Sequence, residues 1–311
     1  MNSSGDVFLT GATGFSGPAV LKALRQSGRS VVALVRRQVK LDGVKTIVGN
    51  ISQVTDLERR VAEAAAVVHL ASARTQDRDT VIGEDVYGTS RLLDGWQRGP
   101  FIFASSVTVH GIPRQTLTES VPIDIIDWYD MGKYMNEFQL RDAVRTPLGS
   151  RGPAVSLRPT VFLGDNDRRN DRQILGMLYQ CYAEGLTFVF ESEEALEKTG
   201  VSYVSVDDFG RAIVASLGLV DSAQFEIATG FITWRELIEL VARFAGKPAK
   251  IEVRPGVISE IEFNPGKKQI RLPHSRTEQD ASAFFAASGW QPSEFIEELV
   301  ERYVKAELKK S

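Results

Sequence analysis

The 311-residue sequence contains a single cysteine, Cys181, and three histidines, His69, His110 and His274. One cysteine cannot form an intramolecular disulfide, and histidines this far apart do not match the spacing of a zinc motif. We therefore expect no disulfide framework and no bound metal. The cytoplasm, which is reducing, is the expected location.

The sequence also lacks long apolar runs and an excess of positive charge. No stretch of about 18 apolar residues occurs, and the amino terminus lacks the basic and apolar regions of an export signal. The 40 acidic and 37 basic residues leave a net charge of -3, so there is no broad positive field for nucleic acid or anionic lipid. We expect a small-molecule substrate, and neither nucleic acid nor a membrane as a partner.

With 43% hydrophobic and 25% charged residues, the composition is that of a folded globular protein. Short apolar runs alternate with helical patterns in the first half, which indicates βαβ units and a parallel sheet covered on both faces. The predicted strands are Val7–Thr10, Val31–Val35, Thr46–Val48, Val67–Leu70, Phe101–Ser105 and Ala154–Leu157. The predicted helices are Pro18–Gln26, Val54–Ala65, Asp79–Trp96 and Trp128–Arg145. With right-handed crossovers these elements form an α/β, Rossmann-type, doubly wound parallel sheet.

The alternation stops after Arg158, where residues 164–172 form a polar, turn-rich stretch. We place a domain boundary or a substrate loop there. The prediction is a dinucleotide-binding domain of residues 1–164, to which residues 200–232 return. A smaller C-terminal α/β region, made of residues 165–199 and 233–311, is predicted to bind the substrate.

Several elements are predicted beyond the polar stretch. They are a helix at Gln173–Tyr182 and strands at Thr187–Phe190, Val201–Val206 and Phe225–Ala228. Thr233 and Glu236 form a capping box that opens a helix ending at Phe244. Ser293 is predicted to cap the last helix.

A glycine-rich loop follows the first predicted strand. Its glycines stand at positions 11, 14 and 17, and Pro18 comes next, which suits the first turn of a helix because proline has no N–H to satisfy. Glycines let the backbone turn sharply and approach a pyrophosphate closely, while a helix N-terminus offers free N–H groups and partial positive charge. A dinucleotide is therefore the expected ligand.

The spacing Gly-x-x-Gly-x-x-Gly in Thr10–Gly17 resembles the extended branch of the short-chain dehydrogenase/reductase superfamily, which includes nucleotide-sugar epimerases, dehydratases and ketoreductases. Val67–Ala71 resembles the fourth strand of that family, Leu157–Pro159 the segment after its catalytic helix, and Val206–Asp208 a late signature. The resemblance implies dinucleotide contacts at Gly11, Thr13, Gly14, Phe15, Gly17, Asn50, Ile51, Leu70 and Ala71.

The end of the second predicted strand bears on which dinucleotide is bound. An acidic residue there holds the ribose 2′-hydroxyl of NAD, whereas a cation suits the 2′-phosphate of NADP. The sequence has Val35 at this point, followed by Arg36 and Arg37, and arginine can pair with phosphate through two hydrogen bonds. We expect NADP(H) to be preferred, with NAD(H) as the alternative.

Tyr129 and Lys133 are four residues apart on a predicted helix, so they lie one turn apart on the same face. A phenol is a poor base at neutral pH, but a nearby ammonium and a cationic nicotinamide favour the phenolate. The resemblance implies that Tyr129 exchanges a proton with the substrate. It also implies that Lys133 assists this exchange and holds the nicotinamide ribose.

Ser105 and Ser106 end a predicted parallel strand, at the edge where open α/β sheets bind ligands. The family typically has Ser-Ser-x-x-Val-Tyr-Gly here, and residues 105–111 resemble that pattern with His110 in place of the tyrosine. By this match Ser106 orients the substrate oxygen and Thr108 is a second candidate. A structural role is expected for His110.

Two departures from the family pattern weaken the case for a nucleotide-diphosphate substrate. Members that act on nucleotide sugars commonly carry an asparagine shortly after the sixth strand and an arginine before a late strand. The sequence has Val161 and Val201 at these places. We keep Val161 as a candidate substrate contact and consider Arg254, or Arg168 and Arg172, as replacement cations for a diphosphate.

The predicted helix 79–96 carries two further features. Its segment Asp85–Thr89 matches a family pattern that usually begins with asparagine. Leu92 and Leu93, together with the helix of Tyr129, form an apolar stripe that is either a dimer face or buried core. A homodimer is the expected assembly.

Three functions remain open at this stage. A reductase of a keto-sugar, nucleotide-linked or not, or of another small carbonyl compound fits NADP(H), because a reduced pool drives net reduction. An epimerase or dehydratase of nucleotide sugars would use Tyr129 and Lys133 while recycling a tightly held NAD(P). A non-catalytic NADP-binding sensor or scaffold usually lacks the tyrosine–lysine pair. We favour an oxidoreductase that transfers a hydride with the help of Tyr129, Lys133 and Ser106.

Overall fold

The computed structural model describes residues 5–111, 116–145, 151–164, 174–256, 260–262, 270–271 and 278–309. The first half contains β1 (Val7–Thr10), α1 (Gly17–Gln26), β2 (Val31–Val35), β3 (Lys45–Val48), α2 (Leu57–Ala62), β4 (Ala66–His69), α3 (Arg78–Thr80), a π-helical segment (Val81–Val86), α4 (Tyr87–Gly95), β5 (Phe101–Ala104), a 3-10 helix (Val107–His110) and α5 (Trp128–Arg145). The second half contains β6 (Ala154–Pro159), β7 (Val161–Leu163), α6 (Ile174–Ala183), β8 (Thr187–Phe190), α7 (Glu193–Lys198), β9 (Gly200–Ser205), α8 (Val206–Ser216), β10 (Ala223–Ile227), β11 (Gly230–Thr233), α9 (Trp234–Ala245), β12 (Lys250–Val253), β13 (Glu260–Glu262), β14 (Ile270–Arg271), α10 (Ser282–Ser288) and α11 (Ile296–Leu308). Within these ranges, no helix is both long enough and apolar enough to cross a membrane.

Seven parallel strands form the main sheet, in the order β10-β6-β5-β4-β1-β2-β3. β1 lies between β2 and β4, with Val7 paired with Val31 on one side and with Ala66 on the other. All residues of β1, β4, β5 and β6 are buried, because helices cover both faces of a parallel sheet. The predicted α/β, doubly wound fold is confirmed, and the six predicted strands differ from the observed ones by at most two residues at an end.

Two predicted helices differ from the structure. The helix predicted at Val54–Ala65 is shorter, because residues 50–54 form turns in which the Val54 N–H donates to the Asn50 carbonyl at 2.7 Å. The helix predicted at Asp79–Trp96 is not uniform, since its first part is the π-helical segment. The wider π-helical turn changes which side chains share a face, so a strict 3.6-residue period does not describe this segment.

Helices pack on the main sheet from both sides. One core cluster, between the sheet and helices α1 and α8, includes Val7, Leu9, Val68, Ile102, Leu157, Phe209 and Ile213. On the other face, Leu92 and Leu93 are buried with Phe8, Leu57 and Trp96. The stripe of Leu92 and Leu93 is therefore core, and the dimer-face interpretation of these two leucines is wrong.

A separate cluster of apolar side chains lies in the second half of the chain. It joins α6, α9 and α11 with two small sheets, ordered β11-β9-β7 and β12-β8-β13-β14. Its members include Leu178, Phe188, Leu237 and Val300. The division into a dinucleotide-binding domain and a substrate-binding region stays a prediction.

The start of α8 holds the C-terminal segment in place through Asp208, which is completely buried. Its carboxylate accepts hydrogen bonds from the Arg211 guanidinium, from the Thr229 hydroxyl at 3.0 Å and from the Ser293 N–H at 2.9 Å. The prediction that Ser293 caps the last helix is wrong, because α11 begins at Ile296. Ser293 instead connects the segment before α11 to α8.

Replacing Asp208 by alanine is expected to lower the free energy of unfolding by about 3 kcal/mol, because it leaves several buried donors without their acceptor. Asp207 provides the matched control. Its carboxylate is partly exposed and pairs with Lys22 at 3.1 Å, so Asp207→Ala should cost no more than about 1 kcal/mol. Urea denaturation of both variants measures the difference, and equal losses would contradict the assignment.

Candidate active site

A cleft of about 580 Å³ opens at the carboxyl edge of the main sheet. Loops that follow parallel strands meet at this edge, so residues distant in sequence come together there. Of the predicted site residues, the cleft is lined by Gly11, Thr13, Gly14, Phe15, Arg36, Asn50, Ile51, Leu70, Ala71, Ser106, Thr108, Tyr129, Lys133 and Val161. Its size is within the range of ordinary ligand pockets, about 300–1,000 Å³.

The glycine loop is packed too closely for side chains. Gly11 has a φ of +77°, and a Cβ there would lie 2.8 Å from the Ala71 nitrogen. Gly17 does not line the cleft but packs against the backbone of the glycine loop, since a Cβ on it would lie 2.3 Å from the Gly11 carbonyl oxygen. The Ser16 side chain makes no capping hydrogen bond, which leaves first-turn N–H groups available to an anion. These residues fit the diphosphate of a dinucleotide.

One end of the cleft lies where β2 and β3 end. Val35 and Arg36 line it, and the exposed Arg37 does not. Asn50 is fixed by its neighbours: its amide donates to Glu84 at 3.1 Å and its carbonyl oxygen accepts from the Ser52 N–H at 3.1 Å. No acidic side chain stands at the end of β2, where the sequence has Val35.

Helix α5 begins at Trp128, so Tyr129 and Lys133 lie in its first two turns. The Lys133 side chain is buried, and its ammonium donates to the Ala104 carbonyl at 2.7 Å. The same nitrogen lies 5.7 Å from the centre of the Tyr129 ring. The ammonium is thereby held beside the phenol ring.

Ser106 follows β5 and is the N-cap of the 3-10 helix. Its hydroxyl oxygen accepts from the Thr108 N–H at 3.3 Å and lies 2.8 Å from the Thr108 hydroxyl. Because the strand ends here, the serine side chain leaves the sheet and enters the cleft that also contains Tyr129 and Lys133. The structure therefore brings the three predicted catalytic side chains into one cleft.

Sequence reasoning missed a buried charged network behind the site. The Ser105 hydroxyl donates to Glu137 at 2.6 Å, and Arg158 donates to both oxygens of the same carboxylate at 2.8 and 2.7 Å. Arg158 also reaches Glu226 at 3.2 Å, and His110 Nε2 lies 2.9 Å from that carboxylate. Burial by itself lowers the pKa of Arg158, but hydrogen bonds and charge from the two glutamates raise it overall.

The position of Glu137 offered a signal that could have identified it. It follows Lys133 by four residues, so it continues the face of α5 that carries Tyr129 and Lys133. Its partner Arg158 is 21 residues further along the chain, on β6. The pairing therefore could not be read from local spacing.

His69 is a structural residue of β4 and is neutral at physiological pH. Its Nδ1 lies 2.6 Å from the Thr10 hydroxyl and its Nε2 2.9 Å from the Thr89 hydroxyl. Complete burial, together with the charge of Lys133, lowers the pKa of His69 to about 3. The ring connects β4 to β1 and α4 and is not a general acid at neutral pH.

Some candidate substrate residues lie away from the cleft. Arg254 follows β12 and pairs with Glu252 at 2.6 Å, and it is not among the described residues that line the cleft. Val201 is buried in the apolar cluster around β9. Arg168 and Arg172 lie outside the described residues.

A parallel α/β sheet with a glycine loop, and a tyrosine–lysine pair at its carboxyl edge, define a dinucleotide-dependent enzyme. Residues 7–228 match the NAD dependent epimerase/dehydratase family, and the chain belongs to this family. The resemblance stated from the motifs is thereby confirmed.

Known proteins similar to the chain include both epimerases and reductases. The UDP-glucose 4-epimerase of Vibrio cholerae is 26% identical over 94% of the chain and 92% of its own length. The 2-alkyl-3-oxoalkanoate reductase of Shewanella oneidensis is 26% identical over 51% of the chain and 45% of its own length. The solved structure of MoeE5 in complex with UDP-glucuronic acid and NAD has a TM-score of 0.79 and 20% identity, covering 99% of this chain and 100% of that one. At this identity the structural likeness shows the fold alone.

Proposed function

We propose that the enzyme is an NADP(H)-dependent oxidoreductase that reduces the carbonyl group of a small substrate such as a keto-sugar. The observation that carries this proposal is the placement of Tyr129, Lys133 and Ser106 in the cleft that begins at the glycine loop. A bound nicotinamide supplies the hydride. Tyr129 gives a proton to the substrate oxygen, Ser106 holds that oxygen by a hydrogen bond, and the charge of Lys133 stabilises the resulting phenolate.

The composition of the cleft wall supports a substrate that carries no diphosphate. Val161, Phe162 and Ile174 contribute apolar surface to it. Among the described lining residues the cations are Arg36, Arg74 and Lys133, and we assign Arg36 and Lys133 to the dinucleotide. A diphosphate-linked substrate would therefore meet fewer positive charges among these residues than the family pattern supplies.

A second candidate is an epimerase or dehydratase of nucleotide sugars. The specific observation in its favour is the alignment with a UDP-glucose 4-epimerase over nearly the whole of both chains. Tyr129, Lys133 and Ser106 would serve the same proton transfers, with the dinucleotide retained and restored in each turnover. The two candidates differ in whether NADPH is consumed.

Product analysis with NADPH and a panel of keto-sugars and small ketones tests the proposal. A reductase consumes one NADPH for each alcohol formed. An epimerase isomerises its substrate with no net consumption and releases NAD(P) when the purified protein is denatured. The second pattern would overturn the reductase proposal in favour of the second candidate.

Tyr129→Phe is expected to lower kcat by about 100-fold or more, because the proton donor is lost, while the dissociation constant for NADPH changes little. Tyr134→Phe, on the same helix, is the matched control. The Tyr134 ring packs against Arg141 at 5.5 Å, and this substitution should leave kcat near the wild-type value. Normal turnover by the Tyr129 variant would exclude the mechanism.

The preference for NADP(H) is proposed from Arg36 at the adenosine end of the cleft. Arg36→Asp should lower the ratio of kcat/KM for NADPH over NADH by about 10- to 100-fold, since a charge-assisted pair with the 2′-phosphate is replaced by repulsion. Arg37→Asp makes the same charge change outside the cleft and should alter the ratio far less. If Arg36→Asp keeps the wild-type ratio, the assignment fails.

We also propose that the enzyme is a homodimer formed through α4, α5 and the π-helical segment. Ile82, Tyr87 and Phe138 are 45%, 53% and 51% exposed on these elements, and grouped exposed apolar side chains favour a protein interface. Phe138→Glu should convert the dimer to a monomer in light scattering. Val220→Glu, at a position that is 84% exposed, is the control and should leave the mass unchanged.

A further inference from the structure

We propose that Asp85 is a positioning residue, whose carboxylate holds the loop of residues 71–76 against the dinucleotide cleft and loosens that loop when it takes up a proton. The inference rests on the proposed function, because it assumes that the cleft binds a dinucleotide. It concerns a position where the family pattern usually has asparagine.

The loop connects the two halves of the site. At its start, the Ala71 N–H donates to the Thr10 hydroxyl at 3.2 Å, next to Gly11 of the glycine loop. At its end, the Gln76 amide donates to Asp127 at 2.7 Å and its oxygen accepts from the Trp128 N–H at 3.1 Å. All six residues of the loop line the cleft. A shift of this loop would therefore change the dinucleotide site and the approach to α5 together.

Asp85 holds the middle of the loop. One carboxylate oxygen accepts from the Ala73 N–H at 2.8 Å, and the other accepts from the Ser72 hydroxyl at 3.0 Å. The next residue, Arg74, has a φ of +50°, which is unfavourable for a side chain that is not glycine. A strained backbone of this kind persists only where neighbouring contacts hold it, and the two bonds to Asp85 are such contacts.

The backbone of Asp85 is itself well anchored. It lies in the π-helical segment, and its carbonyl oxygen accepts from the Thr89 hydroxyl at 2.7 Å and from the Asn136 amide at 3.4 Å. Thr89 contacts His69 of β4, and Asn136 belongs to α5. The carboxylate therefore projects from a position fixed to the sheet and to the catalytic helix.

An aspartate holds this loop more strongly than an asparagine would. A carboxylate offers two acceptor oxygens, whereas an amide offers one acceptor and one donor group. The Ala73 N–H needs an acceptor, and the Ser72 hydroxyl can donate or accept, so asparagine could bond both groups; only the carboxylate, however, makes both bonds charge-assisted and therefore stronger. Asp85 thus holds the loop of residues 71–76 more tightly than the usual family residue would.

Protonation would release part of this clamp. Burial raises the pKa of Asp85, with a smaller contribution from Glu84 beside it, while the Ala73 N–H, Lys133 of α5 and the Ser72 hydroxyl act in the opposite direction. The net pKa lies above its usual value, so the carboxylate takes up a proton at a higher pH than an exposed aspartate. The Ala73 N–H and the Ser72 hydroxyl lower the pKa of Asp85 in the held loop, so loss of these two bonds raises the pKa of the buried carboxylate further. Protonation therefore favours the released loop, and dinucleotide affinity is expected to fall as the pH is lowered.

The test compares Asp85→Asn, Ser72→Ala and the double variant by calorimetric titration with NAD+, which lacks the 2′-phosphate that itself titrates near pH 6. At neutral pH, Asp85→Asn should raise the dissociation constant about tenfold, the loss expected for a hydrogen bond to a charged group. The double variant should be weakened by less than the product of the two single effects, because both remove the same bond. Asp94→Asn, an exposed change of equal charge on α4, is the control and should bind like wild type.

The pH dependence separates a clamp from a merely structural role. Wild type and Asp94→Asn should lose affinity as the pH falls, whereas Asp85→Asn should show a flat profile over the same range. Asp85→Asn that binds as tightly as wild type, or that keeps the wild-type pH dependence, would overturn the inference. Failure of every variant and of wild type to bind any nicotinamide dinucleotide would overturn the proposed function instead. If Asp85→Asn does not fold, the inference is tested by Ser72→Ala alone. An unchanged dissociation constant for NAD+ in that variant would contradict the role of Asp85 in holding the loop.

Discussion

The buried ammonium of Lys133 is the interaction on which the site depends. A cation removed from water requires acceptors, and this one finds the Ala104 carbonyl at the end of β5. The bond fixes helix α5 to the carboxyl edge of the sheet at the point where Ser106 follows. It also keeps the charge beside the ring of Tyr129. Strand end, helix face and phenol are therefore positioned by one side chain.

Behind this contact, the charged network of Glu137, Arg158 and Glu226 makes the floor of the site rigid. Buried ion pairs are costly to form, and removal of one partner leaves an uncompensated charge. Here the hydrogen bonds connect α5, β6 and β10, and Glu137 also binds Ser105 next to the catalytic candidate. The network thereby restricts how far β5 and α5 can move relative to each other.

Local patterns identified the elements that depend on neighbours in sequence. The glycine spacing from Gly11 to Gly17, the apolar runs of the strands and the four-residue interval between Tyr129 and Lys133 are all properties of a short segment. The structure matches the fold predicted from them. The prediction failed at Ser293, where a serine before a helix has the appearance of a cap but binds Asp208 instead. It also failed to give the π-helical turn that carries Asp85, because a wider turn has no clear sequence period.

The sequence by itself determined the class of fold and the glycine loop, since strand and helix periods and short motifs are set by residues a few positions apart. Through the family resemblance it also singled out Tyr129, Lys133 and Ser106 as catalytic candidates. Only the tertiary structure decided which side chains meet: Ser105 with Glu137, Ala73 with Asp85, and Asp208 with Ser293. Those contacts join residues that are 12 to 85 positions apart. They depend on strand order, helix packing and the course of loops, and these follow from burial of the whole apolar surface rather than from any local pattern.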